Sequence, residues 1–527
     1  MKKLPIGRQD FSIIQGKNYL YVDKTKYIYE MIETGDINFL SRPRRFGKSL
    51  LVSTLEELFR GNKKLFEGLY IYDKWDWEDK YSIIKLDFGE ISHDSYSNLK
   101  RSLIKFLKDK AAVESIELED IDLIPDKFSE LIKKLYEKTG KQVVILIDEY
   151  DKPIIKHLDD IDLAENNRDV LSSFYQVLKA NDKYLRFVFL TGVSKFSKTS
   201  IFSELNNLDD LTFDPNFSNI CGYTQEELEN YFQSYIKDFS KDNNTSKESL
   251  LKIIKTWYDG YSWNGITSLY NPFSILLLFK KKEFNNYWFD TGSPTFLVDM
   301  IMSSPSNIST FLNPENKIVG SFPSFDLEKI DLNTILLQSG YLTIKDKKAV
   351  LGKLPEYSLS IPNKEVHDSF YSHLLSHFTS ESAESIQPLA EDMLKYIIDG
   401  DENNLTKSFE TLLNNIPSVL HAKIENINEA YYHLLFTSWL QILGFDISNE
   451  DRSLGGDADA VLQMEDLIVI IEYKYSTKLS LETMLNKGIE QIKNKGYHKP
   501  YQNKNLIFVS IATKPKEIAC KIEKYNK

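Results

Sequence analysis

Cysteine is scarce in this chain of 527 residues, which contains only Cys221 and Cys520. Two cysteines support neither a disulfide framework nor a cysteine-based zinc site, and their scarcity fits a reducing compartment. Long apolar runs are also missing: the run at residues 275–279 is core-sized, whereas a membrane span needs roughly 20 apolar residues. The N-terminus contains proline, glycine and charged side chains in place of a targeting signal. We therefore expect a cytoplasmic protein with no membrane partner.

Excess positive charge is missing as well. The chain has 65 lysines and arginines against 77 aspartates and glutamates, a formal net charge of -12. A protein that coats nucleic acid by bulk electrostatics is therefore excluded, whereas a local basic groove remains open. Hydrophobic residues make up 42% of the chain, and 31 phenylalanines and 30 tyrosines stand against 22 glycines. This composition predicts several packed domains, roughly three or four, rather than repeats or disorder.

A loop between a strand and a helix carries the first candidate site. Residues 37–40 form an apolar run typical of a buried strand, and apolar residues recur at helical spacing from Lys48 to Phe59. The connecting loop ends in Gly47-Lys48-Ser49, the end of the phosphate-binding loop pattern. In that pattern backbone amides receive phosphate oxygens, the lysine reaches the outer phosphates and the hydroxyl binds magnesium. The residues expected to bind nucleotide are Arg44, Arg45, Phe46, Gly47, Lys48 and Ser49.

The match to this pattern is incomplete, because Arg42 stands where the first glycine is expected. A basic loop with a helix-capping serine is the alternative for this segment alone.

Paired acids close a second apolar run, Q-V-V-I-L-I-D-E-Y-D at residues 142–151. The run predicts a buried parallel strand, and open α/β sheets place their ligands at the carboxyl ends of such strands. Asp148 is therefore a candidate for the magnesium that Ser49 also touches, and Glu149 for polarising an attacking water. A solvated strand end is the alternative. Further strands are expected at residues 82–88 and 186–190.

Four segments resemble the bacterial family of AAA-ATPase-like proteins that carry a C-terminal nuclease-like domain. They read YLYVDKTKYIYEMI, FLSRPRRFGKSLLVSTLEELF, VVILIDEYDKPI and FVFLTGVSKFSKTSIFSELNNLDDLT, and the likeness covers most of residues 4–225. That family has Arg-Pro-Arg-Arg-Phe-Gly-Lys-Ser in place of the full glycine loop. The resemblance implies an ATPase that uses ATP and Mg²⁺, with an extra strand between its two nucleotide motifs. By it the roles of Lys48, Ser49, Asp148 and Glu149 carry over, whereas Lys195 and Lys198 match a segment without a defined role.

A hairpin near the C-terminus carries the second candidate site. The segments 457–462 and 467–474 predict two strands with a turn at residues 465–466. Counting outward from that turn places Asp459 opposite Glu472, and strand alternation puts Lys474 on the same face as Glu472. Opposed carboxylates repel unless a cation lies between them, so we expect a magnesium site with the lysine near the attacking water. An exposed Glu–Lys pair on an edge strand is the alternative.

The elements that flank this hairpin resemble the PD-(D/E)XK nuclease superfamily, with the order helix, hairpin, helix, strand. The specific strings are similar to the nuclease-like domain fused to the ATPase-like family. On that resemblance Asp459, Glu472 and Lys474 are the signature residues, and Glu429 and Gln491 are supporting positions. His433, one helical turn after Glu429, is either catalytic or part of the core.

One position departs from the nuclease-like pattern. Relatives usually show Gly-Arg-x-Asp, whereas this chain has Asp457 at the arginine position. The extra negative charge either strengthens metal binding or weakens contact with the DNA backbone. Strand alternation also makes Asp457 a supplementary candidate for the site.

We expect a multidomain α/β protein with a P-loop NTPase core and parallel sheet at residues 1–222. A helical lid and middle region, for which a winged-helix-like character is one interpretation, follows at 223–385, and a restriction-endonuclease-like α/β domain at 386–527. Aromatic side chains in the middle region either stack on bases or form core. The leading hypothesis is an ATP-hydrolysing protein with a magnesium-dependent nuclease domain acting on nucleic acid, DNA in preference to RNA. The alternative is an ATP-driven regulatory or nucleic-acid-binding switch whose nuclease-like domain is inactive, and a homo-oligomer remains open.

Overall fold

A computed structural model describes most of the chain. The described residues are 1–120, 123–158, 160–195, 208–288, 297, 300–301, 317–320, 331–379, 392–414, 436, 440, 458–464, 466–501, 503–514 and 517–525. The chain divides into two compact units, residues 1–291 with 314–366, and residues 292–313 with 367–527. A compact unit can contain more than one domain, so the domain boundaries at residues 222 and 385 stay predictions.

A five-stranded parallel sheet forms the centre of the first unit. Its strands are β1 (Ile37–Ser41), β2 (Ser82–Asp87), β3 (Val143–Asp148), β4 (Leu185–Gly192) and β5 (Asp209–Asp210). Their order is β2-β3-β4-β1-β5, and every pair is parallel. All positions of β3 are buried, as expected for a strand of a parallel sheet that is covered on both faces. Because β4 lies between β1 and β3, the predicted extra strand between the two nucleotide motifs is confirmed.

Helices cover this sheet. The connection from β2 to β3 runs through α4 and α5, and Phe128 of α5 stacks on Phe174 of α7 with ring centres 4.3 Å apart. The sequence marks where these helices begin and end: the Ser95 side chain caps the start of α4, and Gly140 ends α5 in a left-handed conformation. The helices are α1 (Phe11–Gly16), α2 (Thr25–Thr34), α3 (Lys48–Phe59), α4 (Tyr96–Val113), α5 (Ile124–Thr139), α6 (Lys152–Ile155) and α7 (Ile161–Ala180).

A second layer of helices in the same unit follows the sheet. Thr224 and Glu227 form a capping box at the start of its first helix. Buried aromatic rings hold the layer together, and Phe232 stacks on Phe279 with ring centres 5.2 Å apart. The core interpretation of the middle aromatics is favoured over base stacking, because Tyr258 and Tyr270 are fully buried. The helices are α8 (Gln225–Tyr231), α9 (Gln233–Asp242), α10 (Lys247–Tyr258) and α11 (Pro272–Lys281).

A small antiparallel sheet completes the described part of the first unit. Its strand order is β6-β8-β7, and a helix precedes β7 in the chain. This arrangement is compatible with the winged-helix-like interpretation. These elements are β6 (Lys317–Val319), α12 (Leu332–Ser339), β7 (Thr343–Lys348) and β8 (Glu356–Ser360). The boundary between the two units falls inside α13 (Lys364–Thr379).

A four-stranded mixed sheet forms the second unit. Its order is β12-β11-β10-β9, with β10 and β11 parallel and the outer pairs antiparallel. An apolar core between this sheet and α15 contains Ile470, Ile492 and Phe508. The elements are α14 (Glu402–Asn414), β9 (Ala460–Gln463), β10 (Leu467–Tyr475), α15 (Leu481–Lys495), β11 (Asn505–Lys514) and β12 (Glu517–Tyr525).

Short 3₁₀ turns connect several of these elements, at Lys63–Phe66, Asp182–Tyr184, Pro215–Phe217 and Lys499–Tyr501. Among the residues that the structure describes, no helix combines the length and apolar character that crossing a membrane requires.

Candidate active sites

The loop between β1 and α3 is shaped by two residues with positive φ. Gly47 has a φ of 98° and Arg45 a φ of 69°. A Cβ on Gly47 would meet no atom within 4 Å, so glycine is favoured there by its backbone conformation and not by lack of space. The helix then begins at Lys48. The first-turn amides of α3 have no intrahelical acceptor, which makes this end of the helix suited to a phosphate group.

Arg42 is a structural residue of this loop. Its side chain is fully buried, and its guanidinium donates to the carbonyls of Ser41 at 2.8 Å, Thr212 at 2.9 Å and Phe217 at 3.1 Å. It also lies over the ring of Trp263 at 4.2 Å. Burial lowers the pKa of Arg42 to about 10. The arginine that replaces the usual glycine therefore connects the end of β1 to the segment after β5.

The next three residues of the loop have different environments. Arg44 and Arg45 are exposed, and the Arg45 guanidinium lies 4.8 Å from the ring centre of Phe273. Phe46 is buried, with its ring centre 4.8 Å from that of Tyr261 and 5.2 Å from that of Trp263. The Phe46 ring therefore anchors the loop in the aromatic core, and its backbone is the part suited to contact a nucleotide.

Lys48, Ser49 and Asp148 are brought together at the carboxyl ends of β1 and β3. The Lys48 ammonium is buried and donates to the carbonyls of Arg42 at 2.9 Å and Pro43 at 3.0 Å. Burial lowers the pKa of Lys48, whereas the nearby carboxylates oppose that shift. The Ser49 hydroxyl donates to the Asp148 carboxylate, whose pKa is raised by burial. The two side chains proposed from sequence as magnesium ligands are therefore direct neighbours.

Glu149 follows Asp148 in a left-handed conformation, with a φ of 53°. Its backbone amide donates to Asp148 Oδ1 at 2.9 Å, and its carboxylate accepts from Lys152 Nζ at 2.5 Å. The side chain is 41% exposed, so it is accessible to a water molecule. In this conformation the Glu149 carboxylate is paired with Lys152. A role in polarising water requires that this ion pair weaken, so that a carboxylate oxygen can accept from the water.

Two further acids of this region are not among the site residues predicted from the sequence. Asp87 ends β2 directly beside Asp148, and burial, together with the charges of Asp148 and Glu149, raises its pKa. Asp151 is buried and accepts from the amides of Val193 at 2.9 Å and Ser194 at 2.6 Å. The sequence signal for Asp87 was its position at the end of a neighbouring predicted strand. The signal for Asp151 was its position as the last acid of the D-E-Y-D sequence.

The last residue of β4, Gly192, lies close to the Asp151 side chain. A Cβ on Gly192 would lie 2.4 Å from Asp151 Oδ1, so glycine is required at the end of β4. Lys195, just beyond it, forms an ion pair with Asp210, and its amide donates to the Gln338 side chain at 3.1 Å. Lys198 lies outside the described residues.

The hairpin of the second unit has the register predicted from the sequence. Its pairs run from Ile468 with Gln463 to Ile471 with Ala460, so one more step outward places Asp459 opposite Glu472. Asp459 Oδ2 accepts from the Tyr473 amide at 2.7 Å. The two acids therefore lie on adjacent strands at the same level.

Glu472 and Lys474 lie on the same face of β10. Lys474 Nζ donates to Glu472 Oε1 at 2.7 Å, and the Glu472 side chain is only 2% exposed while that of Lys474 is 25% exposed. The interpretation as an exposed pair on an edge strand is wrong, because β10 lies between β9 and β11 and Glu472 is buried. The carboxylates of Asp459 and Glu472 are hard oxygen donors of the kind that Mg²⁺ prefers, so these two residues fit that ion.

The helix α15 covers this cluster. A Cβ on Gly488 would lie 2.1 Å from Ser510 Oγ and 3.7 Å from Glu472 Cγ, so the helix backbone contacts the sheet directly at this level. Gln491 Nε2 donates to the Tyr497 hydroxyl at 3.3 Å. The pKa of Tyr497 is raised by burial and by the charges of Glu472 and Asp459, although Gln491 opposes the shift. Ser510 and Tyr497 were missed as neighbours of the site, because neither belongs to its sequence pattern.

Three residues of the sequence analysis, Glu429, His433 and Asp457, lie outside the described residues. Of the helix predicted to carry Glu429 and His433, only Phe436 and Leu440 are described, and both are helical and buried.

Comparisons with known proteins agree with this architecture. A family model described as Predicted AAA-ATPase matches residues 5–202, and one described as PD-(D/E)XK nuclease superfamily matches residues 427–523. A protein of Azotobacter chroococcum mcd 1, described as an uncharacterized protein in the vnfD 5'region, is 36% identical over 503 residues, which are 95% of this chain and 94% of that protein. The chain therefore belongs to the family of predicted AAA-ATPases that carry a C-terminal domain of the PD-(D/E)XK nuclease superfamily.

Proposed function

We propose that this protein hydrolyses ATP at the loop between β1 and α3 and cleaves nucleic acid, DNA in preference to RNA, at the hairpin β9–β10. The observation that carries the nuclease proposal is the buried carboxylate of Glu472 opposite Asp459, with Lys474 Nζ at 2.7 Å. A buried acid beside a second acid is costly as pure structure and favourable as a cation site. A cytoplasmic location is part of the proposal and fits the two cysteines, which are both free and buried.

In the ATPase site each residue has a distinct task. The Lys48 ammonium exchanges the carbonyls of Arg42 and Pro43 for phosphate oxygens, and Ser49 and Asp148 hold magnesium. Magnesium held by Ser49 and Asp148 would neutralise charge on the phosphates. Glu149 orients the attacking water once Lys152 shares its carboxylate less.

In the nuclease site Asp459 and Glu472 hold the cation, and Lys474 stabilises negative charge near the attacked phosphate. Magnesium held by these two carboxylates would supply Lewis acidity. Gly488 and Ser510 fix the position of Glu472 through the contact between α15 and the sheet.

A second candidate is a switch in which the C-terminal domain binds nucleic acid without cleaving it. The observation that favours it is the ion pair between Lys474 and Glu472, because the ammonium compensates the buried carboxylate charge and no metal ion is needed to do so. In addition, the acid at position 457 replaces an arginine of the nuclease-like pattern.

Cleavage assays separate the two candidates. Plasmid DNA, single-stranded DNA and RNA are incubated with wild-type protein and with the variants Glu472→Gln and Lys474→Ala, with Mg²⁺ or with chelator. We expect Mg²⁺-dependent cleavage that both variants reduce at least a hundredfold. Lys478→Ala is the matched control, because Lys478 is an exposed lysine of the same segment. Binding of all substrates without cleavage by the wild type would establish the switch instead.

A further inference from the structure

Two histidines meet near the carboxyl ends of β2 and β3. His93 lies in the segment between β2 and α4, and His157 follows α6, the short helix after β3. His93 Nδ1 is 2.9 Å from His157 Nε2, and the two rings are inclined by 76°. One carboxylate oxygen of Asp94 completes a set of three ligand atoms that all lie within 4.8 Å of one another.

A buried asparagine holds the two segments in place. Asn167 of α7 donates through Nδ2 to the carbonyl of His93 at 3.1 Å and to that of Pro153 at 2.8 Å. His93 is 4% exposed and Asn167 is fully buried, whereas Asp94 is exposed. The backbone on both sides of the histidine pair is therefore tied to one side chain, and the group is open to solvent on the side of Asp94.

The surroundings of His93 favour its neutral form. Burial lowers the pKa of His93, and His157, Lys156 and Lys152 add to that shift while Asp94 opposes it. Neutral imidazole is the form that binds metal ions, and the positive charges of Lys152 and Lys156 oppose cation binding.

We propose that His93, Asp94 and His157 form a binding site for a divalent transition-metal ion such as Zn²⁺, with a fourth position open to water. Two imidazoles select Zn²⁺, Co²⁺ or Ni²⁺ over Mg²⁺, which takes oxygen ligands. Two Zn–N bonds of about 2.0 Å that meet at the tetrahedral angle place the two histidine nitrogens about 3.3 Å apart. The observed separation of 2.9 Å therefore needs only a small rotation of the rings.

This site is distinct from the two magnesium sites proposed above. A bound ion connects the segment that follows Asp87 to the helix that follows Glu149 and Asp151. Those segments begin at the acids of the ATPase site. Metal binding is therefore expected to stabilise this part of the first unit against unfolding.

The test is a metal titration of the full-length protein, freed of metal with chelator and kept in excess Mg²⁺ so that the oxygen sites are filled. Calorimetry with Zn²⁺ is expected to show one equivalent bound at this site, and Co²⁺ to give visible absorption typical of nitrogen coordination. His157→Gln and Asp94→Asn, whose side chains are not fully buried, are expected to lower Zn²⁺ affinity at least tenfold and fivefold, respectively. His93→Gln is expected to lower it at least tenfold.

His367→Gln is the matched control, because His367 also pairs with an aspartate, Asp368, at 3.1 Å. It is expected to leave the affinity unchanged. Near-ultraviolet circular dichroism checks that each variant is folded. The proposal is overturned if the wild type binds neither Zn²⁺ nor Co²⁺ in excess Mg²⁺, or if folded His157→Gln binds with wild-type affinity and spectrum.

Discussion

Arg42 stands where the phosphate-binding loop pattern has its first glycine, and its side chain holds the loop in place. Its guanidinium donates to three carbonyls, one at the end of β1 and two in the segment after β5, and lies over Trp263. A planar group with several donors can satisfy carbonyls in different directions, whereas an ammonium on a flexible stem cannot match the same geometry. The loop therefore depends on arginine and not only on positive charge.

We expect Arg42→Lys to destabilise the protein by about 2–4 kcal/mol and to weaken ATP binding, because buried carbonyls lose their donors. Thermal unfolding with and without nucleotide measures both effects. Arg60→Lys is the control, since Arg60 is 52% exposed and pairs with Glu56 one helical turn away. Equal melting temperatures for Arg42→Lys and wild type would contradict the structural role of Arg42.

Asp151 predicts a dependence of stability on pH. Burial raises its pKa from 3.8 to about 6. Between these two values the folded protein holds a proton that the unfolded chain has lost, so the contribution of Asp151 to stability is present below pH 3.8 and is lost as the pH rises through about 6. The loss amounts to about 3 kcal/mol.

Asp151→Asn keeps an oxygen for the amides of Val193 and Ser194 and removes the charge. The difference in melting temperature, variant minus wild type, is therefore expected to increase between about pH 4 and pH 7. Unfolding is followed by fluorescence at both values, away from the isoelectric point near 5.4. A difference that stays constant or decreases would rule out a raised pKa at Asp151.

At the scale of elements, the contact between α15 and the sheet positions Glu472 of the proposed nuclease site. Gly488 lets the helix backbone reach Ser510, and Ser510 is the neighbour of Glu472 on the parallel strand β11. A helix that packs this closely limits the movement of the carboxylate below it. The spacing between helix and strand therefore bears on the geometry of the proposed site as well as on stability.

Gly488→Ala is expected to destabilise the protein by about 1–3 kcal/mol, because its methyl group would overlap Ser510 Oγ. The double variant Gly488→Ala/Ser510→Gly should recover part of this loss, as a double-mutant cycle of thermal unfolding can measure. Gly16→Ala is the control, because a Cβ there meets no atom within 4 Å. Additive effects of the two substitutions would show that they do not share a contact.

At the scale of the whole molecule, the two proposed sites lie in different compact units: Lys48 and Glu149 belong to the first, and Asp459 and Glu472 to the second. The contacts described for each site come from its own unit. The residues that each proposed activity requires therefore lie within one unit.

We expect Glu472→Gln to abolish nucleic-acid cleavage and leave ATP hydrolysis within about twofold of wild type, because each compact unit holds its own site. Glu149→Gln should retain ATP binding and lose hydrolysis, whereas Lys48→Ala should lose binding, since Lys48, unlike Glu149, is expected to contact phosphate. Phosphate release, nucleotide titration and plasmid cleavage are measured on each purified variant. Loss of ATP hydrolysis in folded Glu472→Gln would show that the two activities depend on one another.

The sequence by itself determined the elements and the local geometry. Apolar runs predict β1 and β3, the second of them closed by acids. Alternation within one hairpin places Glu472, Lys474 and Asp459 together, because a tight turn leaves only one register to count. These inferences rest on contacts between residues that are close in the chain.

Only the tertiary structure decided the environments that depend on distant segments. The burial of Arg42 against Thr212 and Phe217, the bonds from Val193 and Ser194 to Asp151, and the meeting of His93 with His157 each join separate parts of the chain. Strand order and helix packing bring these partners together, and no local pattern of hydrophobicity or spacing encodes which distant backbone group a buried side chain will meet.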